Sequence, residues 1–106
     1  MRIMLKVHMP VEEGNRAVKA NKLGQTIQTI LAEQKPDAVY FGAEKGQRTG
    51  YIFLHVTKSS EIPKLAEPWF LAFNAAVEMI PVMTPEDLAE AGSAIEAAAK
   101  KYASCS

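Results

Sequence analysis

Hydrophobic and polar positions alternate from the start of the chain. In "RIMLKVHM", Ile3, Leu5 and Val7 point one way while Met4, Lys6 and His8 point the other. A period of two is the signature of a strand, and Pro10 ends this first one. From Asn15 to Gln34 the period lengthens: Val18, Leu23, Ile27, Ile30 and Leu31 recur at helical spacing. Asn15 is placed to cap this helix, Gly24 weakens it by about 1 kcal/mol relative to Ala, and "KPD" at Lys35–Asp37 stops it. "AVYFGAE", Ala38–Glu44, predicts a second strand, "KGQRTG" a turn, and "YIFLHVT", Tyr51–Thr57, a third strand completing a hairpin. The next helix begins after Ser59 or Ser60, with Glu61 in its first turn, where the helix dipole favours a carboxylate. Pro63 suits a helix start, whereas Pro68 predicts a kink or a split before Trp69. "AAVEMIPVM" predicts a fourth strand whose Pro81 belongs at an edge or an end. "TPEDLAEAGSAIEAAAKKYA" predicts one final helix over 84–103, capped by Thr84, with Pro85 at its first position.

The order strand, helix, strand, strand, helix, strand has one usual solution. It is an α+β, ferredoxin-like βαββαβ fold with a four-stranded antiparallel sheet in the order 4-1-3-2, here followed by an appended C-terminal helix. The 106 residues suit a single domain. Two helices cover one face of four strands, and the apolar set Ile3, Leu5, Val7, Val39, Phe41, Ile52, Leu54, Val56, Val77 and Met79 belongs beneath them. The opposite face carries Met4, Lys6, His8, Tyr40, Gly42, Tyr51, Phe53, His55, Ala76, Glu78, Ile80 and Val82. That face is too apolar and aromatic to be left in water, which predicts that a second copy of the sheet packs against it.

Composition narrows the function classes. Twelve basic residues balance twelve acidic ones, which argues against a nucleic-acid partner. No run approaches the roughly 20 apolar residues of a membrane span. The opening residues lack the apolar core of a signal peptide, since Lys6 and His8 interrupt them. The single cysteine, Cys105, makes no internal disulfide and has no base or oxyanion motif around it, so the chain reads as cytoplasmic. No phosphate loop, nucleophile elbow or zinc spacing occurs, and neither a metal nor a cofactor is expected.

The strand–helix order, the opening "IMLKVHMPVE", the central "YIFLHVT" and the ending "FNAAVEMIPVMTPEDL" together resemble the dimeric α/β-barrel superfamily. That superfamily includes muconolactone isomerase-like and antibiotic-biosynthesis monooxygenase-like proteins and related uncharacterised bacterial proteins. The resemblance covers Met1 to Val82 and implies a homodimer whose two sheets enclose a barrel. Its members include isomerases, cofactor-free oxygenases, haem-handling enzymes and proteins with no known activity, so a shared fold transfers no reaction.

Candidate chemistry lies on the mixed face. Lys6, His8, Tyr51 and Glu78 form the strongest constellation, with Glu78 beside Lys6 across the sheet; a Lys–Glu pair next to a His and a Tyr can position a substrate and move a proton. The simpler reading makes Lys6–Glu78 a cross-strand ion pair at a dimer interface. A register with Lys6 beside Phe53 puts His8 opposite Tyr51 and Met4 opposite His55, which sets the two imidazoles about 13 Å apart, too far to share one ion. His55 joins His8, Lys6 and Tyr51 as a candidate catalytic residue. Tyr40, Phe53, Trp69 and Glu78 are candidate substrate-binding residues. Trp69 and Phe70 either form the mouth of a pocket between helix and sheet or anchor a kinked helix to the core. "VEEGN" and "EKGQRTG" read as a solvated loop and a hairpin tip. The chain is thus expected to bind a small, largely apolar molecule in the barrel or an adjacent cleft, as a cofactor-independent isomerase or oxygenase. The alternative is a non-catalytic dimerisation or regulatory module.

Overall fold

A computed structural model describes residues 1–103. The Cys105 reading falls outside the described residues. The elements are β1 (Arg2–His8), α1 (Val11–Lys19), α2 (Leu23–Gln34), β2 (Ala38–Glu44), β3 (Gln47–His55), α3 (Glu61–Phe73), β4 (Ala76–Pro81), α4 (Pro85–Glu90) and α5 (Gly92–Tyr102). The four strands form one sheet in the order β2-β3-β1-β4, which is 4-1-3-2 when read from the β4 edge, and every pairing is antiparallel. The result is a small α+β fold compatible with a ferredoxin-like arrangement.

One side of the sheet is the core. Ile3, Leu5 and Val7 of β1 and Ile52 and Leu54 of β3 are buried against Ile30 of α2 and Leu65, Trp69 and Phe73 of α3. Leu5 and Ile52 stand opposite one another in the ladder and are both fully buried, as the alternation predicts for the two central strands. Phe41 departs from the expected set. It lies on the helix side but on the edge strand β2, where an open groove separates it from α2. It is 60% exposed, and its ring lies over Gly50, its partner in the ladder.

The helices differ from expectation at their ends. The segment over 15–34 is two helices rather than one, because Asn21 takes a left-handed φ of 58° and turns the chain between them. Asn15 therefore lies inside α1, and α1 starts after Pro10 with no side-chain cap. Pro68 does not split α3, which runs unbroken from Glu61 to Phe73. Glu61 fixes the start of α3 by accepting from the Thr57 and Lys58 backbone N–H groups and the Thr57 hydroxyl, and these bonds hold its carboxyl below the usual carboxylate range.

The C-terminal segment is also divided, at Ala91. Thr84 and Asp87 form a reciprocal capping box around Pro85, so α4 starts as its sequence predicts. Neither α4 nor α5 buries a residue. The molecule is correspondingly long, 60 × 28 × 22 Å, with a radius of gyration of 17.9 Å, against roughly 13 Å for a compact chain of this length. No helix among the described residues is long and apolar enough to cross a membrane.

Candidate functional site

The sheet face opposite the helices gathers a polar cluster at one end. Its register is set by the β2–β3 hairpin. Lys45 and Gly46 both have positive φ, 54° and 76°, the mark of a two-residue type I′ turn, and Glu44 pairs directly with Gln47. The turn is therefore two residues rather than six, and β3 begins at Gln47 instead of Tyr51. This corrects the expected register by two positions: Lys6 lies opposite Tyr51, His8 opposite Thr49, Met4 opposite Phe53 and Arg2 opposite His55. On its other side Lys6 lies opposite Glu78, as expected, and His8 opposite the small Ala76.

Glu44 is the hub of the cluster. The Tyr51 ring leans along the strand beside Gly42, where a Cβ would meet ring carbon Cε2 at an ordinary contact distance of 3.7 Å. The Tyr51 hydroxyl thereby reaches Glu44 and donates to its Oε1 at 2.9 Å. Lys6 Nζ donates to Glu44 Oε2 at 3.4 Å and stands 5.9 Å from the centre of the Tyr51 ring. The Lys6 ion pair is therefore with Glu44 and not with Glu78. Tyr51's hydroxyl first, then Lys6 and the nearby His8, hold the Glu44 carboxyl below its ordinary range against the opposing effect of partial burial. The same bond to Glu44 raises the Tyr51 phenol above its ordinary value, with burial adding to the shift.

His8 is held on both sides. Its side chain is 12% exposed, with Nε2 3.3 Å from Glu78 Oε1 and 3.6 Å from Glu44 Oε2. Its Nδ1 lies 3.3 Å from the hydroxyl of Thr49, a buried polar side chain. That hydroxyl spends its one hydrogen on the Gln47 carbonyl at 3.0 Å, so in the pair with His8 it is the acceptor and Nδ1–H the donor. Both ring nitrogens thus face oxygen acceptors. With one hydrogen on Nδ1, Nε2 of the neutral ring is an acceptor, and it donates to the two carboxylates only when the ring is protonated.

The other candidates lie elsewhere. His55 is not part of the cluster: the ladder puts it six residues from the position opposite His8, roughly 20 Å away. It instead lies 3.9 Å from Asp37 Oδ2, which also accepts from Arg2 Nη1 at 3.1 Å. Tyr40 and Phe53 meet edge to face on the open side, centroids 6.3 Å apart, with Tyr40 64% exposed. Trp69 does not form a pocket mouth. It is 2% exposed, stacks on Phe73 and donates its indole N–H to Gln34 Oε1 at 3.4 Å, and it lies at the bottom of a groove between α2 and the sheet. Glu44 and Thr49 are the cluster members that sequence reasoning missed. The alternation Tyr40, Gly42, Glu44 continued by one step places Glu44 on this face, and the same step back from Tyr51 places Thr49.

Among the described residues, no group of three His, Cys, Asp or Glu side chains could hold a metal ion. Compared with known proteins, the chain matches no family model and no curated protein.

Proposed function

We propose that a second copy of the chain covers the open sheet face, giving a ferredoxin-like dimeric barrel that holds a small, largely apolar molecule against the His8 cluster. One observation carries the reading: a half-buried histidine, braced on both nitrogens, shares with Tyr40, Tyr51 and Phe53 the sheet face opposite the core helices. Tyr40, at 64% exposed, with Met4, Phe53 and Ile80, supplies the apolar surface that such a partner and ligand would cover.

Cofactor-independent isomerisation suits these groups. Glu78 takes a proton from a carbon beside a carbonyl while His8, acting as the imidazolium with Nδ1–H held by Thr49, gives its Nε2 hydrogen to the carbonyl oxygen and is left neutral. His8 then recovers that hydrogen, and Glu78 returns its proton to a different carbon. Lys6 and Tyr51 act through Glu44 by fixing its carboxylate beside the imidazole. A second reading, a dimerisation module without catalysis, is favoured by the fact that Glu44 is already bonded by Tyr51 and Lys6 without any ligand.

Native mass spectrometry of protein purified from its own host tests both readings. The proposal expects a dimer carrying a small molecule, lost in His8→Ala while the dimer survives. A dimer carrying nothing, with His8→Ala indistinguishable from it, favours the second reading. A monomer at micromolar concentration removes both.

A further inference from the structure

The helix side of the sheet holds a different feature. Between α2 and strands β2 and β3 lies a cavity of about 390 Å³, walled by Leu23, Ile27 and Leu31 of α2 and by Phe41, Ile52 and Trp69. The cavity is a groove open to solvent on one side, and its volume falls within the range of small-molecule sites, which usually begin at about 300 Å³. The wall is almost wholly apolar, with one charged residue, Arg48.

Arg48 is held in place there. Gly14 of α1 gives it room: a Cβ at that position would come within 2.5 Å of Arg48 Nη1. Arg48 Nη2 donates to the neutral side-chain oxygen of Asn15 at 3.1 Å. No carboxylate pairs with Arg48 among the described residues, and the adjacent Glu13 is taken by Arg16 at 2.7 Å. The first turn of α2 borders the same cavity at Gly24 and carries neither a side-chain cap nor an acidic residue, so its positive dipole end is unneutralised. A guanidinium fixed by a neutral partner at the exposed rim of an apolar groove matches an anion attached to an apolar body.

We propose that this groove, on the opposite side of the sheet from His8, is a second binding site that takes small-molecule carboxylates with an aliphatic or aromatic body, the carboxylate on Arg48 and the body along Leu23, Ile27 and Phe41 above Trp69. The site does not depend on the reading of the open face.

Trp69 is the only tryptophan of the chain and lies beneath the groove, so its emission reports a change in packing there. Full-length protein is titrated with octanoate, octanol and octylammonium. Octanoate is expected to change Trp69 emission saturably and to bind about tenfold more tightly than octanol, the worth of one charge-assisted hydrogen bond, with octylammonium weakest. Arg48→Gln should remove that tenfold preference, with octanol as the control. Ile27→Phe, checked for folding by far-UV circular dichroism, should weaken both by filling the cavity. An absent or unsaturable response to octanoate, equal affinity for octanol, or unchanged octanoate binding in Arg48→Gln overturns the proposal. Should Ile27→Phe fail to fold, the Arg48→Gln comparison decides alone.

Discussion

Thr49 is the residue on which the placement of His8 rests, and a double-mutant cycle measures that dependence. Thr49 is 3% exposed, and its hydroxyl makes two hydrogen bonds, to the Gln47 carbonyl at 3.0 Å and from His8 Nδ1 at 3.3 Å. Thr49→Val keeps the shape and the β-branched stem and removes both. At about 1 kcal/mol for each neutral bond, the loss is about 2 kcal/mol, reduced slightly because Val favours a strand. The bond to Gln47 is indifferent to residue 8, so only the His8 share appears as coupling. Urea unfolding of the parent, Thr49→Val, His8→Ala and the double variant, all at one protein concentration, should give an interaction energy of about 0.5–1.5 kcal/mol. The ¹⁵N shifts of the His8 ring should also move in Thr49→Val, because the partner that fixes Nδ1–H is gone. Additive losses together with an unmoved imidazole spectrum would refute the argument: Thr49 would then be a packing residue and His8 would be oriented by its carboxylates alone.

Three further outcomes follow from the geometry. In Glu44→Gln the Tyr51 phenol should titrate closer to an ordinary tyrosine, read from the rise in absorbance near 295 nm at high pH. Because the Glu44 carboxyl is held low in the fold, its contribution to stability is present above the ordinary carboxylate range and fades as pH falls through its folded value; the variant should therefore show a flatter acid limb in unfolding followed against pH. The raised Tyr51 has the opposite sign: its contribution is complete below an ordinary phenol's value and is lost as pH rises through the folded one. Removing residues 92–106 should change the unfolding free energy by less than about 0.5 kcal/mol, since α5 buries nothing; a loss several times larger in a denaturant melt would mean that the arm packs on another surface. Lys45→Asn should stabilise the protein by about 1 kcal/mol in the same melt, because Asn adopts the left-handed conformation that Lys45 holds at φ 54° with less strain.

Legibility in the sequence followed the strength of the local signal. Ile3, Leu5 and Val7 alternate cleanly with Met4, Lys6 and His8, and β1 matches that pattern to within a residue at each end. Thr84 and Pro85 marked the start of α4 because a cap and a first-turn proline act through bonds within a few residues. The divisions at Asn21 and Ala91 were marked only weakly, by an asparagine able to turn left-handed and by Gly92 just after the second break. Neither position carries Gly or Pro, and apolar spacing continues across both breaks. Phe41 was placed with the core because alternation reports the side of a sheet and not how far the helices extend over it.

The hairpin shows why the candidate site was only half visible. "KGQRTG" has the composition of a loop, with Lys, Gln, Arg, Thr and two glycines, yet only Lys45 and Gly46 turn. The other four residues are strand, and alternation divides them between the faces of the sheet. Thr49 falls on the open side, where it holds His8, and Arg48 and Gly50 fall on the helix side, where they line the cavity. A reading that treats this stretch as loop therefore loses the anchor of one site and the charge of the other in a single step, and it goes with a β1–β3 register shifted by two. The converse also holds. Once the turn is fixed at Lys45–Gly46, pairing Glu44 with Gln47 brings Tyr40 opposite Tyr51 and Gly42 opposite Thr49, with no further freedom in the β2–β3 register. The chemistry of both faces thus follows from the location of one two-residue turn, which composition alone did not reveal.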